Sequence, residues 1–439
     1  MNGRAVVSRR RHLAETAQGF TSAPKAMPAW PLIAMFGFYP VWWVLGVVDI
    51  MWIFIAAVMV LHLARRKART LVPRSFMIWV LFLIWMVLSV IMLDHASALV
   101  LFTYRALLYV SAGVIFIYVY NARENISART VAALFTALWI TTIVGGLLGA
   151  AFPNFTLRTP ISYVVPQGVL GNDWINRMLI RRLSQYNTDG WVVVDPRPSA
   201  PFLYTNNWGN VYSLTLPFVV YYLGLVRRTK RFWLIAALIP VSVVPAILTL
   251  NRGMFVGLAV VLLYVAVVLA YRGNFRGLLA VGSFGVAVAA VFFSPLVQLR
   301  LDERLDESGS TQDRASLYIQ AIQGVLESPF FGYGSPRASD VNVDPVGTQG
   351  QFWTVLYSHG IVGAVLFMLW LAVALLIVAR RPGTAALICG SVLAAGVVEA
   401  TYYGLIPNGL PILMVAAAIG MRDHPFTEQK AMGLPRNDR

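Results

Sequence analysis

The sequence predicts an all-α, polytopic integral membrane protein with about twelve transmembrane helices and two long outer loops. Of its 439 residues, 58% are hydrophobic and only 12% are charged, whereas about 25% of an average soluble domain is charged. Apolar runs such as 232–250 and 352–379 are long enough to cross a hydrocarbon core, which takes about 20 helical residues. Basic residues recur at every second loop between the runs. A soluble helical protein would instead alternate polar and apolar faces along each helix.

Each apolar run is assigned to one span, and the remaining chain forms tails and loops. The transmembrane domain covers 30–421, between a basic tail at 1–29 and a second tail at 422–439. The predicted spans are 30–48, 50–64, 76–93, 98–120, 131–151, 210–226, 232–250, 253–271, 277–297, 350–379, 384–400 and 404–421.

The basic residues predict which loops are cytoplasmic, because cytoplasmic loops are enriched in Lys and Arg. On this map the cytoplasmic segments hold 24 of the 35 Lys and Arg residues and five of the 19 acids. Both termini are therefore predicted to lie in the cytoplasm. The net charge of +16 is an asymmetry across the membrane, and we expect no nucleic-acid partner.

Two outer loops are long, and long loops between closely spaced spans usually carry function. The first, at about 152–209, is rich in proline and glycine, so we expect mostly loop with one short helix near 172–186. The second, at about 298–349, opens with a charged stretch and continues as an amphipathic helix from Gln312 to Glu327. The functional surface is therefore predicted on the outer side.

Several arginines lie on this outer side, where basic residues are otherwise rare. Arg252 sits where two spans meet, and we expect Gly253 to permit the tight turn there. Arg314 lies on the amphipathic helix, and Arg197 precedes the next span. Arg105 lies inside a span, where an ionisable side chain normally faces a cavity or a partner. Taken alone, Arg252 could be an arginine that anchors a helix end at the membrane interface. Arg314 alone could be a solvated surface charge. Together, the arginines would bind a diphosphate, because guanidinium groups match phosphate oxygens.

Motifs of soluble enzymes and of metal sites are absent from the sequence. There is no phosphate-binding glycine loop, no His-Glu-x-x-His and no Gly-x-Ser-x-Gly. The five histidines are scattered, and the single cysteine, Cys389, lies in an apolar run. We therefore expect neither a metal nor a cofactor.

The second half of the chain resembles the O-antigen ligase and polymerase superfamily of bacterial membrane glycosyltransferases. Four segments match the family's motifs in order, over roughly residues 195–370. They are Arg197-Pro-Ser-Ala-Pro-Phe-Leu-Tyr-Thr-Asn206-Asn207-Trp-Gly-Asn, then Leu248-Thr249-Leu250-Asn251-Arg252-Gly253, then Gly309-Ser-Thr-Gln-Asp-Arg314 with Ser328-Pro329-Phe330-Phe331-Gly332-Tyr333-Gly334, and finally Gln349-Gly350-Gln351-Phe352-Trp353 ahead of Gly360-Ile-Val-Gly363.

The resemblance implies a substrate class and a location. Members of the superfamily move a glycan from a polyprenyl diphosphate carrier to a glycan or lipid acceptor, outside the bacterial cytoplasmic membrane. The matched motifs, together with the charged residues near them, predict roles for residues of this chain. The catalytic set is Arg252, Arg314, Gln349 and Asp344, and the substrate-binding set is Arg197, Asn207, Arg105 and Asp340.

One position departs from the family pattern. Relatives commonly carry a histidine where this chain has Gln349, eleven residues before Gly360. His359 is about 15 Å further along a helix, so we do not expect it to substitute. Asp344 or Asp340 on the adjoining loop would then accept the proton. Two alternatives stay open: a transporter or flippase of lipid-linked or small polar substrates, and a relative without catalytic activity.

Overall fold

The computed structural model describes residues 26–66, 69–185, 196–295, 298, 310–339 and 344–422. It is 73% helical with almost no sheet, which confirms the all-α prediction. Within the described residues, seven helices are long and apolar enough to cross a membrane. Four shorter apolar helices accompany them, at Met51–Ala64, Phe275–Ala290, Thr384–Glu399 and Gly409–Met421.

Six α-helices precede the first outer loop in the part of the chain that the structure describes. The predicted span at 30–48 is divided into two short helices around Phe38, because Pro40 opens the second helix and lacks a backbone donor. Short 3-10 turns at Arg74–Phe76 and Ser89–Met92 extend the fourth helix at both ends. The helices are α1 (Trp30–Gly37), α2 (Tyr39–Leu45), α3 (Met51–Ala64), α4 (Met77–Leu88), α5 (Ala96–Asn121) and α6 (Ala128–Ala151).

The first outer loop contains two small antiparallel strand pairs, β1–β2 and β3–β4. The short helix predicted at 172–186 is wrong beyond Leu179, because the chain there continues as a strand that pairs with β1. Arg181 in this strand is buried against Asp49, with 2.7 Å between Nη2 and Oδ2. The elements are β1 (Thr156–Arg158), α7 (Gln167–Leu170), α8 (Asp173–Leu179), β2 (Ile180–Arg182), β3 (Ser184–Gln185) and β4 (Arg197–Pro198).

The second half of the chain supplies the remaining helices. The predicted amphipathic helix is confirmed within two residues of its start, as α13. The helices are α9 (Thr205–Val226), α10 (Lys230–Leu248), α11 (Arg252–Tyr271), α12 (Phe275–Phe292), α13 (Ser310–Glu327), α14 (Gln351–Ala379), α15 (Thr384–Glu399) and α16 (Gly409–Met421).

Helix α16 lies at the centre of the bundle, and all of its residues are buried. A helix that is apolar on every side lies in a protein core or among lipid, and here protein covers every residue. It packs against α5, α9, α14 and α15, so both halves of the chain share one core. Aromatic rings of α4, α5 and α14 fill a second part of that core, where Trp79, Phe82 and Tyr109 contact Phe367.

Helix α14 is interrupted at Gly360, which has φ 68° and ψ −174°. The chain after α13 packs into this interruption. Tyr333 N donates to Tyr357 O at 3.0 Å, and Gly334 N donates to Ser358 O at 2.7 Å. Ile361 N donates to the Pro329 carbonyl at 2.8 Å. The motif ending at Gly334 thus satisfies backbone groups that an interrupted membrane helix would otherwise leave unpaired.

We predict the topology from the basic loops, and cysteine labelling tests it. With Cys389 replaced by alanine, an impermeant maleimide added outside should label a cysteine at Tyr163, whose side chain is 72% exposed. The same reagent should not label cysteines at Arg228 or Arg380, because it cannot cross the bilayer. Labelling at Arg228 from outside would contradict the map, and labelling after lysis is the control for reactivity.

Candidate functional site

The loop at 400–408, between α15 and α16, connects the second and fourth motif segments. The Tyr403 hydroxyl donates to Asn251 Oδ1, and the Tyr403 carbonyl accepts from Gln351 N at 2.7 Å. The Tyr402 hydroxyl donates to Gly253 O at 3.0 Å. Burial raises the pKa of Tyr402, so its phenol keeps the proton that it donates. Two neighbouring tyrosines therefore hold the start of α11 beside the start of α14.

Gln351, the first residue of α14, is fully buried and binds the backbone of this loop. Its Oε1 accepts from Leu405 N at 2.9 Å and from Ile406 N at 3.1 Å. Its Nε2 donates to the Tyr109 hydroxyl on α5 at 2.5 Å. One amide side chain thus connects α14, the 400–408 loop and the span that carries Arg105.

The first motif segment joins the same assembly through the start of α9. Asn251 Nδ2 donates to the Thr205 carbonyl at 2.9 Å. Gln185 Oε1 accepts from both Thr205 N and Thr205 Oγ1 at 3.1 Å. Gln185 lies opposite Arg197 in the β3–β4 ladder. Arg197 and Asn207 are both partly exposed, and each is close in sequence to this contact.

The third segment reaches the site through α13. The Tyr318 hydroxyl donates to the Gln349 carbonyl at 3.3 Å, and the Tyr318 ring packs on Trp353 with centroids 4.7 Å apart. Gln349 Nε2 donates to Asp344 Oδ2 at 3.2 Å. Arg314 lies one helical turn before Tyr318 on α13. The side chain of Arg314 and the whole of Asp340 lie outside the described residues.

Arg252 is the first residue of α11, and its side chain is exposed. The hydrogen bonds of Asn251 and Gly253 hold the backbone on either side of it. The prediction that Gly253 is needed for the backbone conformation of the tight turn is wrong. The left-handed residue of this turn is Leu250, with φ 51°. Gly253 is already helical, and a Cβ there would lie 2.7 Å from the Tyr402 ring and 2.8 Å from the Tyr403 hydroxyl. Close packing of the 400–408 loop, rather than backbone freedom, requires the glycine.

Arg105 is the tenth residue of α5, where its side chain lies near Tyr104 and Tyr109. Its Nη1 is buried and has no hydrogen-bond partner among the described residues. A buried guanidinium nitrogen without a partner is costly. Tyr109 connects this arginine to Gln351 at the mouth of α14.

His359 lies in the core and not in the outer site. It is 4% exposed, and its Nδ1 lies 2.8 Å from Ser89 Oγ. Its ring contacts Phe82, Phe102 and Tyr109. These aromatic rings separate the imidazole from solvent. Within the described residues there is also no group of three His, Cys, Asp or Glu side chains able to hold a metal ion.

Sequence reasoning missed Glu399, the last residue of α15. Its carboxylate is fully buried and accepts from Asn210 Nδ2 and Ser213 Oγ, both at 2.5 Å. Its carbonyl accepts from Tyr402 N at 3.1 Å and from Tyr403 N at 2.7 Å. Glu399 thus sets the 400–408 loop against α9. An acid inside a predicted span was the available signal, because such residues normally have a specific partner.

The comparison with protein families bears directly on this assembly. The family model described as O-antigen ligase matches residues 238–368. The match confirms the resemblance to the O-antigen ligase and polymerase superfamily. It covers the second, third and fourth motif segments, whereas Arg105, Arg197 and Asn207 lie outside it. The Asn251–Thr205 hydrogen bond joins the first segment to the matched region. No curated protein matches the chain.

We expect Gln351→Ala to lower the free energy of unfolding by about 2–4 kcal/mol, because two buried backbone donors and the Tyr109 hydroxyl lose their partner. Gln349→Ala is the matched control and should change it by less than about 0.5 kcal/mol, because its side-chain contact is exposed. Thermal unfolding of the full chain in a neutral detergent measures both. Equal melting temperatures for the two variants would show that Gln351 does not hold the loop.

Proposed function

We propose that this protein transfers a glycan from a polyprenyl diphosphate carrier to an acceptor on the outer face of the bacterial cytoplasmic membrane. The observation that carries the proposal is that a hydrogen-bonded network around Tyr403 and Gln351 joins the first, second and fourth motif segments. The helix of the third segment reaches the same place through the bond from Tyr318 to Gln349. The match to the O-antigen ligase family supports the same class of reaction at the family level. The acceptor is a second glycan in a polymerase, or a lipid-anchored glycan in a ligase.

The arginines supply the electrostatic part of the proposed reaction. Arg252 is exposed at the junction, Arg197 lies on the neighbouring strand, and Arg314 is on the helix that covers Gln349. As the bond between the sugar and the phosphate breaks, negative charge grows on the leaving diphosphate. Guanidinium groups fixed in place stabilise that charge without having to reorganise. Arg105, whose Nη1 has no described partner, is assigned to the deeper end of the diphosphate.

The acceptor side of the reaction is assigned to Gln349 and Asp344. The acceptor hydroxyl oxygen attacks the anomeric carbon. The bond from that carbon to the phosphate oxygen breaks, and its electron pair stays on the phosphate oxygen of the leaving diphosphate. Gln349 orients the hydroxyl through its amide, and Asp344, which Gln349 contacts, accepts the hydroxyl proton. Asp340 and Asn207 are assigned to hydroxyl groups of the glycan.

Of the alternative functions, only the inactive relative is favoured by a specific observation, the glutamine at position 349. A transporter is not favoured, although α14 is interrupted. The interruption at Gly360 is filled by the chain from Pro329 to Gly334, which satisfies the freed backbone groups. In transporters, such groups line the substrate cavity instead.

Replacing the arginines tests the proposed chemistry. Arg252→Ala and Arg314→Ala should each abolish transfer from a lipid-linked glycan, and lysine at either position should restore little, because an ammonium cannot form the forked phosphate contact. Arg228→Ala, on the opposite face, is the control and should keep full activity. Transfer is measured by glycan size after incubation of the nanodisc-held protein with its donor. Wild-type rates in both alanine variants would make these residues interface anchors only.

The residue at 349 separates a slow enzyme from an inactive relative. We expect the natural protein to transfer slowly, because losing one general base typically costs about 10² to 10⁴ in rate. Gln349→His should raise the rate as pH increases through about 6.5, since only the neutral imidazole accepts a proton. Gln349→Ala should lower the rate modestly. If both variants transfer at the same rate as the natural protein at every pH from 6 to 8, Gln349 does not lie at the reacting centre.

A further inference from the structure

A pocket on the first outer loop carries a concentration of positive charge that the proposed reaction does not use. It lies between the β1–β2 pair and the start of α9, and its lining includes Arg177, Arg181, Arg182, Gln185 and Tyr204. Among the described residues that line it there are three arginines and no acid. The guanidinium groups of Arg177 and Arg182 are exposed at the rim of the pocket, and guanidinium groups match phosphate oxygens.

Arg181 gives independent evidence that this pocket has a ligand. The residue is only 2% exposed, and one of its nitrogens, Nη2, pairs with Asp49 Oδ2 at 2.7 Å. Its other two nitrogens, Nε and Nη1, are buried and have no hydrogen-bond partner among the described residues. Buried guanidinium donors are nearly always satisfied. Asp49 therefore fixes the side chain while two donors remain for another group.

The position of the pocket relative to the membrane indicates where that group comes from. Helix α6 is long and apolar enough to span the bilayer, and it ends at Ala151, on the side that the basic loops predict to be outer. Five residues of chain reach at most about 17 Å, so β1 and its partner strand β2 lie near the outer interface. Phe152 and Phe155, at the edge of this sheet, are 58% and 52% exposed. Exposed aromatic side chains next to basic ones are typical of segments at lipid headgroup level.

We propose that this pocket binds the phosphate of a lipid in the outer leaflet, through arginines that the proposed reaction does not use. The phosphate accepts from the free donors of Arg181 and from Arg177 and Arg182 at the rim, while the acyl or prenyl chains extend past Phe155. The headgroup thereby joins the first outer loop to the bilayer beside the start of α9. Two lipids carry this chemistry: a bilayer phospholipid and a polyprenyl phosphate.

Native mass spectrometry of the full chain in a neutral detergent tests the site. The added probes are phosphatidylglycerol, polyprenyl monophosphate and diacylglycerol, which lacks phosphate. We expect the protein to retain at least one phosphate lipid and not diacylglycerol. Affinity should fall at least tenfold in the Arg177→Ala/Arg182→Ala variant, since a hydrogen bond between charged groups contributes about 1.5–3 kcal/mol. Arg158→Ala, an outer arginine of the same sheet that does not line the pocket, is the matched control.

The added lipids show which of the two, a bilayer phospholipid or a polyprenyl phosphate, supplies the bound phosphate. Retention of phosphatidylglycerol alone identifies a bilayer phospholipid, and retention of polyprenyl phosphate alone identifies a second contact with the carrier. Displacement by inorganic phosphate would show that the headgroup supplies the binding. Equal binding of diacylglycerol, or unchanged affinity in the double variant, would overturn the proposal. The single variant Arg177→Gln, at an exposed position, gives the same test if the double variant does not fold. Because Arg252→Ala should still bind the lipid, failure of this site and failure of the proposed reaction are distinguishable.

Discussion

The candidate site of this protein depends on the hydrogen bonds that converge on Tyr403 and Gln351. Near the membrane, backbone groups that leave regular helix have to be satisfied within the protein. The 400–408 loop meets this constraint with Gln351, whose amide oxygen accepts from Leu405 and Ile406. Tyr403 then binds Asn251, and Asn251 binds Thr205. Asn251 and Gln351, which hold the loop, also set the start of α11, which carries Arg252, and the start of α14, which follows Gln349.

The side chains that hold this network together differ from the charged side chains of the candidate site. The side chains that form it are neutral and buried, whereas Arg252 is exposed and Arg197 is partly exposed. A preorganised site requires that the charged groups do not move when charge develops on the substrate. Buried neutral hydrogen bonds fix the backbone at these positions without the desolvation cost of a buried ion pair. Glu399 extends the same support towards α9 through Asn210 and Ser213.

The fold class and the junction residues were predictable from the sequence, because apolar runs and basic loops are local signals. The helix at Ser310–Glu327 was found within two residues, and Arg252 was correctly placed at the start of a span. Contacts between distant segments were not predictable. Nothing local shows that Gly253 lies against Tyr402, or that Gln351 bonds both the 400–408 loop and Tyr109. The strand at Ile180–Arg182 was missed for the same reason, since its partner strand and the Asp49 contact are remote in sequence.

The most direct test of this account is an experimental structure of the nanodisc-held protein with polyprenyl diphosphate bound. The account predicts the diphosphate beside the Arg252 guanidinium, between the starts of α9, α11 and α14, with Gln349 facing the side from which an acceptor would approach. A diphosphate bound away from these three helix starts, with Arg252 contacting only lipid headgroups or solvent, would contradict it.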